Sequence, residues 1–181
     1  MTSENPDIRQ QVESNRGILK KLELMVPGLR GYRSKEDIRA SDNLLRNQVA
    51  DKLDLAKSNL EALRKQIATS GDFNNLTIVG SLISQFQQFS GQIRHAEQGY
   101  SGFGASFQID ETKLNKLYDY DYDFVSSAVE LANLTSPSSV AYDPTNVGSV
   151  QQRLSSISSK VQDFKQKWSI RMEAIENIVQ K

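Results

Sequence analysis

The sequence predicts an all-α protein: an antiparallel bundle of four long helices with one further helix at the N-terminus. One observation is an apolar ladder near the end of the chain, with steps of three or four residues: Val150, Leu154, Ile157, Val161, Phe164, Trp168, Met172, Ile175 and Val179. Another is the same spacing between Ile38 and Ile67. Such repeats mark one face of a helix that packs along its length against other helices. Short connections between the predicted helices favour antiparallel neighbours.

Start and stop signals set the predicted boundaries of these helices. The N-terminal helix covers residues 6–26, and the four long helices cover residues 34–69, 75–98, 110–134 and 145–180. Pro27-Gly28 ends the first helix, Ser34 begins the second, and Gly71 follows its end. The Pro- and Ser-rich segment 135–144 is a predicted linker between the last two helices. We expect residues 1–181 to form a single helical-bundle domain.

Composition excludes several classes of function. Basic and acidic residues are equal at 22 each, so no net field draws the chain to nucleic acid. The absence of Cys excludes disulfides, thiolate metal sites and a cysteine nucleophile. The most apolar stretch, residues 76–89, falls short of the roughly 20 apolar residues that cross a bilayer. No signal peptide is visible, so we expect a cytoplasmic protein. The basic helix 145–180 is the part that could contact an anionic membrane surface, although no other feature of the sequence supports such contact.

Familiar catalytic and metal-binding patterns are incomplete. A di-iron bundle site needs two Glu-x-x-His motifs, whereas His95 is the sole histidine. The acidic run from Asp119 to Asp123 lacks the glycine of a calcium loop, since Phe124 stands at the sixth position, and on a helix Asp121 points away from Asp119 and Asp123. The glycine-rich segment 99–104 follows a helix and lacks the Lys-Ser/Thr ending of a phosphate loop. We therefore expect no enzyme, no catalytic residue, no metal and no cofactor.

Polar residues nevertheless occupy core positions near one end of the predicted bundle. Asp121 lies on the apolar seam of helix 110–134, and Asp42 lies on that of helix 34–69. A carboxylate facing the interior of a bundle must be paired or must change its protonation state. Topology brings other unusual residues to the same end, and the predicted polar cluster comprises Arg39, Asp42, Arg46, Arg94, His95, Tyr100 and Asp121. We expect Asp121 to pair with Arg46 or, alternatively, with Arg94.

Two interpretations of this cluster stay open. In the structural one, a buried polar network fixes helix register and holds the glycine-rich loop over the end of the bundle. In the functional one, Arg39, Arg46 and Arg94 line a small pocket that binds an anionic or polar ligand.

Two parts of the chain carry a family resemblance. One is PGLRGYRSKEDIRASDNLLR at residues 27–46, and the other is IRHAEQGYSGF at residues 93–103 followed by LYDYD at residues 117–121. Together they resemble a group of uncharacterised bacterial all-helical proteins associated with membrane-stress and scaffold genes. The resemblance implies a helical fold and a scaffold role, and it implies no activity.

The sequence thus favours a non-enzymatic scaffold or protein-interaction module that binds a protein partner or a second copy of itself. Helix 75–98 offers the best candidate surface because its outward positions are polar but almost uncharged. The alternative is a regulatory module that binds a small molecule or anion through the polar cluster.

Overall fold

The chain folds into α-helices throughout the region that the structure describes. The computed structural model describes residues 8–29, 31, 35–96 and 111–179. Within these ranges there are five helices and no strands: α1 (Ile8–Met25), α2 (Lys35–Ser70), α3 (Phe73–His95), α4 (Glu111–Leu134) and α5 (Val147–Val179). The predicted all-α class is confirmed.

The observed helix ends follow local hydrogen bonding. Gly28 and Gly71 adopt positive φ angles of 89° and 78°, which end α1 and α2 at low steric cost. Helix α3 begins at Phe73 rather than at residue 75, because the Asp72 carboxylate accepts the backbone N–H of Asn75 at 3.2 Å. It ends at His95 rather than at residue 98, since Ala96 has left the helical conformation, with φ −57° and ψ 135°.

Helix α5 begins two residues later than predicted. Asn146 stands before its first turn, and the Asn146 side-chain oxygen accepts the backbone N–H of Ser149 at 3.3 Å. The predicted caps at Ser34 and Asp110 and the glycine-rich loop lie outside the described residues.

Apolar side chains of all five helices form one continuous core. The seam of α2 is buried from Ile38 to Ile67, and that of α5 is buried from Val150 to Phe164. Aromatic rings link the helices: Phe164 stacks on Phe124 of α4 with centroids 5.3 Å apart and meets Phe89 of α3 edge-on at 6.5 Å. Such pairs contribute about 0.5–1.5 kcal/mol beyond the area they bury.

Contacts between helices define the neighbours in the bundle. Helix α2 packs on α3 and α4, α5 packs on α4 and α3, and α1 packs on α4. Arg46, in the first third of α2, reaches the end of α3, while Lys160 in the middle of α5 binds Glu130 near the end of α4 at 2.8 Å. These positions are consistent with sequential neighbours that run in opposite directions.

The segment predicted as a linker packs against the bundle. Val140 is 4 % exposed and belongs to the core, and the Tyr142 hydroxyl lies 2.6 Å from the Ser70 hydroxyl at the end of α2. Arg153 of α5 donates to the Ala141 carbonyl at 3.2 Å. Residues 140–142 therefore anchor this connection to the bundle, while most of its other side chains are exposed. Over the described residues, no helix combines the length and apolarity that spanning a membrane requires.

Candidate functional site: a buried ionic cluster

A completely buried arginine joins three helices. The Arg171 side chain of α5 is 0 % exposed. Its Nε donates to Asp121 Oδ1 of α4 at 2.7 Å, and its Nη2 donates to Asp42 Oδ1 of α2 at 2.7 Å. Both bonds are charge-assisted and short, which places them among the stronger hydrogen bonds in proteins.

A second arginine extends this network to α3. Arg46 lies one turn after Asp42, and its Nε donates to Asp42 Oδ2 at 3.0 Å. Its Nη1 donates to the carbonyl oxygens of Ile93 at 3.2 Å and Ala96 at 2.8 Å. The last carbonyls of a helix have no partner within the helix. Arg46 therefore satisfies carbonyls at the end of α3 with a cation, which also suits the helix dipole there.

We call Asp42, Arg46, Asp121 and Arg171 the ionic cluster. The cluster contains two acidic and two basic side chains, each no more than 4 % exposed, so its formal charges balance. The guanidinium carbon of Arg171 lies 5.5 Å from the Phe124 ring centroid and 5.9 Å from that of Trp168, within cation–π range. Taking such charges out of water costs several kcal/mol per ion, so the balance within the cluster is what makes its burial tolerable.

Helical spacing explains how these side chains meet. Asp42 and Arg46 are four residues apart, so they share one face of α2 with the buried Leu45 and Val49. Asp121 follows the buried Leu117 and precedes the buried Val125 by the same interval, as the sequence predicted. A polar side chain at a seam position is carried into the core by its apolar neighbours.

The expected partner of Asp121 was wrong. Asp121 pairs with Arg171, while Arg46 binds Asp42 of its own helix and Arg94 binds Asp51 and Asp54 of α2. Counting residues along neighbouring helices predicts which side chains lie at the same height in the bundle. It does not predict which of several arginines at that height binds Asp121. Arg171 approaches Asp121 from α5, a helix that contributes no residue to the predicted polar cluster.

Arg94 forms a separate network at the surface. Its Nη2 lies 2.9 Å from Asp51 Oδ1 and 2.8 Å from Asp54 Oδ2, and Asp54 Oδ1 also accepts the Ser90 hydroxyl at 2.6 Å. The hydrogen bond that Arg94 donates to Asp51 raises the pKa of Arg94 most; desolvation opposes this rise, and the bond donated to Asp54 adds to it. Both carboxylates are well exposed, so this network is screened by solvent.

Three further residues belong to the predicted polar cluster: His95, Arg39 and Tyr100. His95 is exposed at the end of α3. Arg39 is half-buried on α2, three residues before Asp42. Tyr100 lies outside the described residues, so its predicted place in the cluster stays a prediction.

The sequence contained a signal for Arg171 that our ladder missed. The steps from Val150 to Trp168 alternate between four and three, and a further step of three from Trp168 reaches Arg171. The predicted ladder took a step of four to Met172 because Met172 is apolar. In the structure Arg171 is fully buried, whereas Met172 is half-buried. Strict heptad spacing, which ignores residue type, would have found the arginine.

The geometry of the ionic cluster fits a role in holding helices together better than a role in binding a ligand. Beside it, a pocket of about 290 Å³ is lined by Gly28, Asp37, Ala40, Ser41 and Leu44, near the start of α2. Among the described residues of this lining there is no arginine for an anion. Within the described residues, no group of three or more His, Cys, Asp or Glu side chains is arranged to hold a metal ion.

Comparisons with protein-family models, with curated proteins and with solved structures found no match for this chain. The resemblance of segments 27–46, 93–103 and 117–121 therefore stays a prediction, and function has to be argued from the geometry alone.

Proposed function

We propose that this chain is a non-enzymatic interaction module that associates with a second copy of itself through the outer face of α3. The observation that carries the proposal is the absence of any charged residue from Phe73 to Ile93, although one side of this helix is open to solvent. Charged residues are depleted at the centres of protein interfaces. A helix face that is polar but carries no charged residue can be buried in an interface without the cost of removing charges from water.

The exposed positions of α3 differ from those of its neighbour α2. Those of α3 up to Ile93 are Phe73, Asn74, Thr77, Ser81, Ser84, Gln87, Gln88 and Gln92. Those of α2 include Asp51, Asp54, Glu61, Arg64 and Lys65. Phe73 is 76 % exposed, among the most exposed large apolar residues described. Two adjacent helices of one bundle thus present surfaces of different chemistry.

Two glycines on α3 favour close approach by another backbone. A Cβ added at Gly80 or Gly91 would meet nothing within 4 Å, so neither glycine is required by packing inside the described chain. Each costs about 1 kcal/mol relative to alanine in a helix interior. Gly80, Ser84 and Gly91 are spaced by four and seven residues and fall on one stripe of the helix. An incoming helix would find the backbone accessible there.

A second copy is the occupant that this surface fits best. In a twofold-symmetric dimer the same patch meets itself, so any charge near the axis faces an identical charge. An uncharged face avoids that repulsion. The overall equality of acidic and basic residues removes long-range repulsion between copies as well.

The alternative function, binding of a small anion at the polar cluster, has less support. The positive charges of Arg46 and Arg171 are matched by Asp42 and Asp121, and Arg94 faces two further carboxylates. The membrane-stress association rests only on the resemblance of segments 27–46, 93–103 and 117–121. The cytoplasmic location rests on the expectation that the sequence has no signal peptide.

Solution mass tests the proposal. Size-exclusion chromatography with light scattering, across a wide range of protein concentration, should show a monomer–dimer equilibrium. Ser84→Lys should shift it to monomer because it sets two like charges face to face. Ser155→Lys on α5 is the matched control: both serines are exposed, and each donates to the carbonyl four residues earlier, Ser84 at 3.1 Å and Ser155 at 2.9 Å. A wild-type monomer at every concentration, or equal effects of both variants, would contradict the proposal.

A further inference from the structure

The two parts of α5 are held by different side chains. Up to Phe164 the buried positions are all apolar: Val150, Leu154, Ile157, Val161 and Phe164. From Lys165 to Glu176 the buried side chains are Arg171 and Ile175, with Trp168 and Met172 half-buried. The later part therefore depends on an ionic contact where the earlier part depends on apolar burial.

These two kinds of burial respond differently when the helix separates from the bundle. An exposed apolar side chain gains nothing from water. By contrast, Arg171, Asp42 and Asp121 recover their hydration when they separate, and this offsets much of the lost ion pairing. Opening the end of α5 is therefore less unfavourable than opening its beginning, for similar lengths of helix.

We propose that residues 165–176 of α5 form a strap that opens as a unit while the rest of the bundle stays folded, with Arg171 as its latch. Opening breaks the bonds of Arg171 to Asp121 and Asp42 and uncovers the Phe124 ring. Arg46 stays bound to Asp42 and to the end of α3, because those contacts do not involve α5. The chain thus has a built-in conformational device that is independent of the α3 face.

Native-state hydrogen exchange in low denaturant tests the strap. We expect the slowly exchanging amides of residues 165–176 to share one opening free energy and one denaturant dependence, and to exchange about tenfold faster or more than those of residues 150–164. Ordinary fraying would instead give protection that rises steadily from the C-terminal end. Graded protection, or exchange of both segments only by global unfolding, would overturn the proposal.

A variant of the latch provides a second test. Arg171→Lys keeps the positive charge but cannot bind both carboxylates in the same fork geometry. It weakens contacts that strap opening and global unfolding both break, so it should speed exchange of residues 165–176 together, and that of residues 150–164 by no more than the same factor. Arg153→Lys, on the exposed side of the same helix, is the control and should change neither segment. Unchanged exchange of residues 165–176 in Arg171→Lys, or acceleration confined to residues 150–164, would show that Arg171 does not hold a strap.

Discussion

Arg171 and Arg94 show what burial does to one type of contact. Each arginine lies within 3 Å of two aspartate oxygens, and each links α2 to another helix. The Arg171 side chain is 0 % exposed and its partners are equally hidden, whereas the Arg94 side chain is 33 % exposed and its partners are open to water. The donor–acceptor distances are nearly the same in both networks, so the difference in burial is what sets how much each contributes to stability.

Buried and exposed ion pairs differ most when one partner is removed. Loss of an exposed arginine leaves carboxylates that water solvates at once. Loss of the buried arginine leaves carboxylates that stay dry unless the helices move apart. The packing of the end of α5 against α2 and α4 therefore depends on every charge of the ionic cluster, whereas the surface network adds little.

The largest expected effect comes from Arg171→Met, which keeps the length of the side chain and removes its charge. We expect a loss of about 3–5 kcal/mol in the free energy of unfolding, because Asp121 loses the guanidinium that it faces in a buried site. Arg94→Met is the matched control and should cost about 0.2–1 kcal/mol. Urea denaturation followed by circular dichroism measures both. Equal losses would mean that burial does not separate the two networks.

A smaller effect is expected on α4, where Asp119 lies two residues before the paired Asp121. Desolvation, followed by repulsion from Asp123, raises the pKa of Asp119. Because the folded pKa is raised, the charged form destabilises the fold at neutral pH, and this penalty disappears at pH values where Asp119 is protonated in both states.

Asp119→Asn should therefore stabilise the protein by about 0.2–0.5 kcal/mol at neutral pH, the usual size of a like-charge effect at this helical spacing. The gain should vanish as the pH falls below the ordinary range of an aspartate. Thermal unfolding at several pH values measures it. A gain that persists in acid would show that helix propensity, rather than charge, is responsible.

Much of the fold could be predicted from the sequence because helices that pack together carry apolar residues at regular spacings of three and four. The seam from Ile38 to Ile67 and the stops at Gly28 and Gly71 all stand in the structure as predicted. Helix ends were less accurate where a side chain decides them. The start of α3 moved to Phe73 because Asp72 is the cap, and a cap of this type resembles any polar loop residue in the sequence.

The site was only partly predictable. Asp42, Arg46 and Asp121 stand out because a charged residue interrupts an apolar seam, and the structure brings these three together with Arg171. Pairing was not predictable, since it depends on the rotation of each helix about its axis, which periodicity fixes only to within a residue. On α5, an error of one residue in this rotation places Met172 in the core instead of Arg171.

A double-mutant cycle on Arg171 and Asp121 tests the central claim, that the ionic cluster is a buried, mutually dependent structural network. Asp121→Leu alone should destabilise the protein strongly, as Arg171→Met does, because each variant leaves a charge behind. Combining them removes both charges and keeps the bond between Arg46 and Asp42.

We predict that the double variant is more stable than either single variant and close to wild type or above it, as for other buried pairs replaced by apolar residues. The free energies of unfolding in urea give the coupling directly. Losses that simply add in the double variant would contradict the account, because they would show that Arg171 and Asp121 act independently.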